Sequence, residues 1–127
     1  EHGLTDVLEQ EGLGAIVFSP LAQGLLTGRY LNGIPEDSRA HRSDSPFLSE
    51  ERVEETLGKV RQLNDVAKDR GQTLAEMALA WNLRQPTIAS VLIGASRVSQ
   101  LEDNLKALDN LDFADEELAK IDSILGK

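Results

Sequence analysis

Apolar residues are distributed along this chain in two ways: long stretches where they recur every three or four residues, and two short runs where they are consecutive. The first pattern predicts helices. Leu4, Val7 and Leu8 share one face of a segment ending near Gln10, and Gly12 is placed to close it. Val53, Leu57, Val60, Leu63 and Ala67 predict a second helix up to Gly71, with Ser49 as its cap. Thr73-Leu74-Ala75-Glu76 has the form of a capping box, in which side chain and backbone of both ends pair reciprocally. It predicts a third helix through Met77, Ala78 and Trp81, with Pro86 helping to end it. Ser99-Gln100-Leu101-Glu102 has the same form and predicts a fourth, to about Leu108. Residues 115–125 read as an amphipathic fifth, with Leu118, Ile121, Ile124 and Leu125 inward. The consecutive runs are Ala15-Ile16-Val17-Phe18, stopped by Ser19-Pro20, and residues 88–93, left through Gly94-Ala95. Unbroken hydrophobicity over so few residues predicts strands buried on both faces, as in parallel sheets.

The order helix, strand, long connection, two helices, strand, helix, helix indicates right-handed βαβ units and a parallel sheet. Two parallel strands cannot stand alone, because both faces and both edges need cover. No repeat or low-complexity tract is present. The 127 residues are one domain's worth of chain. They are 40% apolar but only 4% aromatic, so the core must be built from Leu, Ile, Val and Ala.

The net charge of −9 argues against nucleic acid and anionic lipid as general partners, so any bound anion needs a local basic pocket. No apolar run is long enough for membrane insertion. The absence of cysteine rules out disulfides and zinc–thiolate sites and fits a reducing cytoplasm, the expected location. Glu1-His2-Gly3 has neither the charge nor the apolar stretch of a signal peptide, and with no initiating Met the chain reads as cut from something longer.

Two strand ends carry candidate chemistry. Residues 18–30 follow the first strand with Gly24 and Gly28, whose backbone can approach a ligand closely, with the hydroxyls of Ser19 and Thr27, and with the cation of Arg29. A plain strand-to-loop turn is the competing reading. The second is Gly94-Ala95-Ser96-Arg97, just ahead of a helix whose free N–H groups and dipole attract phosphate. Gln100 and Asn104 share a face of that helix. Here the competing reading is a routine helix cap with a solvated arginine. Two such corners near the end of a chain suit a (β/α)8 barrel, where phosphate is often held by the loops after the last two strands. The long connection, residues 19–48, is locally basic through Arg29, Arg39, His41 and Arg42. Its polarity names no substrate, although residues 29–48 are candidates for one wall of a substrate site.

Other constellations are blander. Glu50, Glu51, Glu54 and Glu55 could be taken for a metal site, but like charges at helical spacing repel and mark a solvated face. Asp115-Glu116-Glu117 suit a helix N-terminus. Trp81 belongs to a core stripe. No Ser-His-Asp or Cys-His set is available for nucleophilic catalysis.

The blocks FSPLAQGLLTGRY (18–30), GIPEDSR (33–39), SVLIGASRVSQLEDNL (90–105) and IDSILG (121–126) occur in the order and spacing of one family. The chain resembles the aldo-keto reductases over essentially its whole length. The resemblance is closest to the branch holding voltage-gated potassium channel β subunits and bacterial glyceraldehyde-phosphate or methylglyoxal reductases. It implies an α/β fold, the C-terminal portion of a (β/α)8 TIM barrel with its last two strands, their helices and the C-terminal helix. It implies NADPH as cofactor and a small aldehyde or ketone as substrate, and it makes a homo-oligomer possible. Phe18 stands where the family stacks an aromatic on the nicotinamide. Ser19, Pro20, Leu21, Ala22 and Gln23 match the loop lining the pyrophosphate. Arg29 matches a basic residue there, and Arg39 an arginine closing over the dinucleotide. Gly94, Ser96 and Arg97 match the site of the adenosine 2′-phosphate. Gln100, Asp103 and Asn104 match adenosine contacts, Asp103 standing where Glu is common.

The family's catalytic Asp, Tyr, Lys and His lie ahead of this region. Tyr30, the sole tyrosine, follows the cofactor loop, and His2 and His41 do not fit the family's histidine context. The resemblance therefore implies a chain that carries cofactor loops but does not by itself reduce an aldehyde. Two alternatives stand beside it: an NADPH-binding regulatory protein like the channel β subunits, or a non-catalytic half-barrel that pairs with another chain.

Overall fold

A computed structural model describes residues 3–35 and 50–127, with only the helical backbone described for Glu50, Glu51 and Arg52. Ser49, Arg39, His2, His41 and Arg42 lie outside the described residues. Helix α1 (Leu4–Gln10) ends as its glycine dictates. Gly12 takes a φ of +66°, open to a residue without Cβ, and lets the N–H of Leu13 reach back to the Leu8 carbonyl at 2.8 Å. Strand β1 (Ala15–Val17) follows at once. The chain then makes a tight 3₁₀-type turn (Ala22–Thr27), helix α2 (Glu50–Asp69), helix α3 (Leu74–Leu83) and strand β2 (Ile88–Val91). Helix α4 (Val98–Leu105), a 3₁₀ turn (Lys106–Asp109) and helix α5 (Asp115–Leu125) complete the fold.

The element order is the expected one, and the strands pair in parallel, Ala15 with Ile88, Ile16 with Ser90 and Val17 with Val91. One expectation fails. The strands are not buried on both faces: Ile16 is 65% exposed, Phe18 80% and Leu92 55%. Helix α3 packs against β2, but among the described residues there is no second layer on the other side of the sheet. The apolar runs describe a layer the sheet is suited to meet, and that layer is not in these residues.

The core lies among helices instead. Val60, Leu63, Val66 and Ala67 of α2 meet Leu74 and Met77 of α3 and Ile121 of α5, with Trp81, Phe113 and Ile124 at the margin. The capping box predicted at Thr73 forms in full: the Thr73 hydroxyl accepts from the Glu76 N–H at 3.2 Å, and Glu76 Oε2 accepts from the Thr73 N–H at 2.8 Å. Helix α5 is tied on by Arg70, whose side chain is only 2% exposed. It donates to Glu117 at 2.6 Å and to the Asp112 carbonyl at 2.9 Å, and lies 3.7 Å over the Phe113 ring. A guanidinium this buried needs those partners, since burial without them is costly.

The predicted start of α4 is corrected. The helix begins at Val98 with Arg97 as its N-cap, so Ser99 lies inside the first turn and its box with Glu102 does not form. The reason is Gln100. Its Oε1 accepts from the N–H of Ser96 at 2.9 Å and of Arg97 at 3.2 Å, satisfying donors three and two residues upstream of the predicted cap.

Candidate functional site

Because β1 and β2 run in parallel, with one shift of register between Ala15 and Ile16, both strands leave the sheet at the same end. The Leu92 N–H donates to the Val17 carbonyl at 2.8 Å, so the pairing continues to Val17 on one strand and one residue beyond Val91 on the other. The stretches singled out from sequence, residues 18–24 and 94–104, are therefore neighbouring corners of one sheet edge.

The first corner is strained. Ser19, Ala22 and Gln23 have φ of 53°, 46° and 59°. A left-handed conformation costs a residue with a Cβ about 1–2 kcal/mol, and three within five residues is far from ordinary turn behaviour. Such outliers concentrate where backbone is held for a ligand. Gly24, at φ +102°, continues the bend. The turn is closed by the Ala22 N–H to Ser19 carbonyl bond at 3.0 Å, the Gly24 N–H to Leu21 carbonyl bond at 2.9 Å, and a 2.7 Å bond from the Thr27 hydroxyl to the Gly24 carbonyl. Phe18 projects as an exposed ring at the head of the corner, and Arg29 is exposed just past it. Arg39 lies outside the described residues. Pro20 and Ala22 turn the other way, toward an apolar cavity of about 280 Å³ between the turn and helices α2, α3 and α5, where Leu63, Met77 and Trp81 also face it. No residue of 94–104 lines that cavity, so it is a gap in the helical layer rather than a groove joining the corners.

The second corner is relaxed and open. A Cβ built at Gly94 meets no atom within 4 Å, so its backbone is freely approachable. Ser96 and Arg97 are exposed, and Arg97 caps α4 in extended backbone at φ −140°. Gln100 Oε1 also accepts from the Ser96 hydroxyl at 3.1 Å, so this one oxygen takes three donors and fixes the Ser96-Arg97 backbone. Asn104 is half-buried one turn further along the same face. Asp103 is engaged by Lys106 at 2.7 Å. That hydrogen bond, and then the pull of the carboxylate charge, holds the Lys106 ammonium above the usual lysine range. The sequence reading missed Lys106, although the three-residue spacing from Asp103 signals the pair. It also missed Gln100 as an organiser of the corner.

The arrangement suits an elongated anion. A half-buried strained turn at one end, a helix N-terminus at the other, and Arg29 and Arg97 beside them supply donors and positive charge in an acidic chain.

A family model for the aldo/keto reductase family matches residues 1–126. The chain belongs to that family, and its sheet and helices are a portion of the (β/α)8 barrel. Among its relatives is a protein of Escherichia coli O157:H7 named L-glyceraldehyde 3-phosphate reductase, 54% identical over 125 residues, covering 96% of this chain and 36% of that protein. A putative voltage-gated potassium channel β subunit of Schizosaccharomyces pombe is 38% identical over 129 residues, covering 98% of this chain and 38% of the relative. The crystal structure of the thermostable aldo-keto reductase Tm1743 with the inhibitor epalrestat matches with a TM-score of 0.62 at 26% identity, over 96% of this chain and 33% of that one. The chain thus spans little more than a third of the length of the curated relatives it matches. Among the described residues no helix is long and apolar enough to cross a membrane.

Proposed function

We propose that these residues form the cofactor-holding corners of an NADPH-dependent reductase of small aldehydes or ketones. The observation that carries the reading is the juxtaposition of a strained turn and a helix N-terminus at the end of two paired strands. In this reading the exposed Phe18 ring packs on the nicotinamide, and the backbone of Ser19, Pro20, Leu21, Ala22 and Gln23 lines the pyrophosphate with Arg29 and Arg39. Gly94, Ser96 and Arg97 take the adenosine 2′-phosphate, which selects NADPH over NADH. Asn104 and Asp103 border the adenosine, and Gln100 acts mainly by holding Ser96 and Arg97 in place. The cofactor supplies a hydride when bound; this chain's part is to orient its ring, neutralise its phosphates and exclude water there. The proton donor belongs to the rest of the barrel, so residues 1–127 alone are not a reductase.

The test is loss of NADPH absorbance by the full-length protein with methylglyoxal and with L-glyceraldehyde 3-phosphate. Turnover with either supports the reading, and none with several aldehydes defeats it. The likeness to proteins named as potassium channel β subunits favours one other reading, an NADPH-binding regulatory protein. Tight cofactor retention, very slow turnover and co-purification with a membrane protein would select it.

A further inference from the structure

Left-handed conformations at Ser19, Ala22 and Gln23 survive only if the surroundings over-determine them. The hydrogen bonds within the turn are local and near solvent, where water replaces them at little loss. Helices α2 and α3 both border the turn, but much of their side of it is the apolar cavity, whereas a buried ring lies directly beneath Gly24. Tyr30 is 1% exposed and packs with Val53 of α2, Leu25 and Ile34. Its ring edge lies under Gly24, where a Cβ would stand 3.6 Å from Tyr30 Cε2. Among the described residues it is the largest fully buried side chain, and it links the strained turn directly to the long helix α2. Buried this deeply, it has no path to a substrate.

We propose that Tyr30 is a positioning residue for the cofactor turn: its ring is the floor that keeps residues 19–24 bent before any ligand arrives. The proposal rests on the cofactor reading above, in which that turn lines the pyrophosphate. A floor under the first corner alone acts on one half of the dinucleotide. A residue important only for general stability acts on both halves.

The experiment measures binding of NADPH and of adenosine 2′-monophosphate, which lacks the pyrophosphate and nicotinamide, to full-length protein carrying Tyr30→Phe or Tyr30→Leu. If losing the ring leaves the bent turn populated about a tenth of the time, the apparent Kd for NADPH rises about tenfold. Tyr30→Leu should show that rise with adenosine 2′-monophosphate unchanged, and Tyr30→Phe, which keeps the ring, should match wild type on both. Unchanged NADPH binding in Tyr30→Leu, or equal weakening of both ligands, overturns the proposal. Should Tyr30→Leu fail to fold, Val53→Ala trims the helix side of the ring's packing without touching the turn, and the same split, or its absence, decides. Wild-type protein that binds neither ligand would instead defeat the cofactor reading itself.

Discussion

The corner after β1 and the corner after β2 leave neighbouring strands at the same edge, yet they are built by opposite means. The first bends through three non-glycine residues of positive φ and rests on a buried ring. The second keeps ordinary backbone, lies open to solvent, and is held from its own helix by one amide oxygen of Gln100. Strain needs support from the interior, so the first corner depends on the packing of α2. An unstrained cap needs only an acceptor within reach, so the second depends on a single exposed side chain. Substitutions should therefore travel differently from the two places.

The largest effect should come from the frame both corners share. Arg70→Ala leaves the Glu117 carboxylate with the Ala114 N–H but without its cation, and removes the most buried of the ties between α5 and the end of α2. Removing one member of a buried pair typically costs about 3–5 kcal/mol, reduced here because Glu117 is about one-third exposed. Denaturant unfolding of the full-length protein should show a loss of at least about 2 kcal/mol. A loss under about 0.5 kcal/mol, as for an ordinary surface position, would mean that the helical layer does not depend on this clamp.

Next in size is a test of the division of labour. If the second corner reads the 2′-phosphate, Arg97→Ala should weaken NADPH by the worth of a charge-assisted hydrogen bond, about 1.5–3 kcal/mol. NADH should be nearly unaffected. Steady-state KM values for the two cofactors check this, and equal weakening of both would remove Arg97 from the 2′-phosphate site.

A matched pair of glycines isolates the strain. Gly24→Ala puts a Cβ where φ is +102° and should destabilise by about 1–2 kcal/mol. Gly94→Ala adds the same methyl into open space at no positive φ, and should stay within about 0.5 kcal/mol of wild type. Thermal melts of both variants read the difference directly. Equal melting temperatures would mean that the first corner is no more constrained than the second.

The same contrast explains what could be read in advance. Helices announced themselves locally: the reciprocal pairing at Thr73 and Glu76, the glycine after α1 and the amphipathic stripe of α5 all depend on residues within a few positions. The adjacency of the corners was also legible, because consecutive apolar runs joined by helices imply parallel strands. The bend at Ser19, Ala22 and Gln23 was not, since positive φ is signalled by glycine and these residues carry side chains. Nor was the exposure of Ile16 and Phe18, which is decided by a layer of structure that the strand sequence only anticipates. The shift in the start of α4 lies between these cases. Ser99 and Glu102 had the right spacing for a box, but Gln100, one residue on, reached upstream donors first.

That competition gives the smallest and most discriminating prediction. Gln100→Leu removes the acceptor of three hydrogen bonds at an exposed site, and should cost α4 about 1 kcal/mol, the scale of a lost cap. Gln100→Glu keeps an acceptor of the same reach and adds a negative charge that suits a helix N-terminus, so its stability should match or slightly exceed wild type. The added charge would also lie beside Arg97 and the proposed 2′-phosphate. Affinity for adenosine 2′-monophosphate should therefore fall in both variants, through a loosened Ser96-Arg97 backbone in the first and through repulsion in the second. Only the second loss should shrink with added salt relative to wild type, because screening weakens like-charge repulsion but does not rebuild a cap. If Gln100→Leu bound this ligand as well as wild type, the amide would be ornamental to the corner, and the second strand end would be held by its backbone alone.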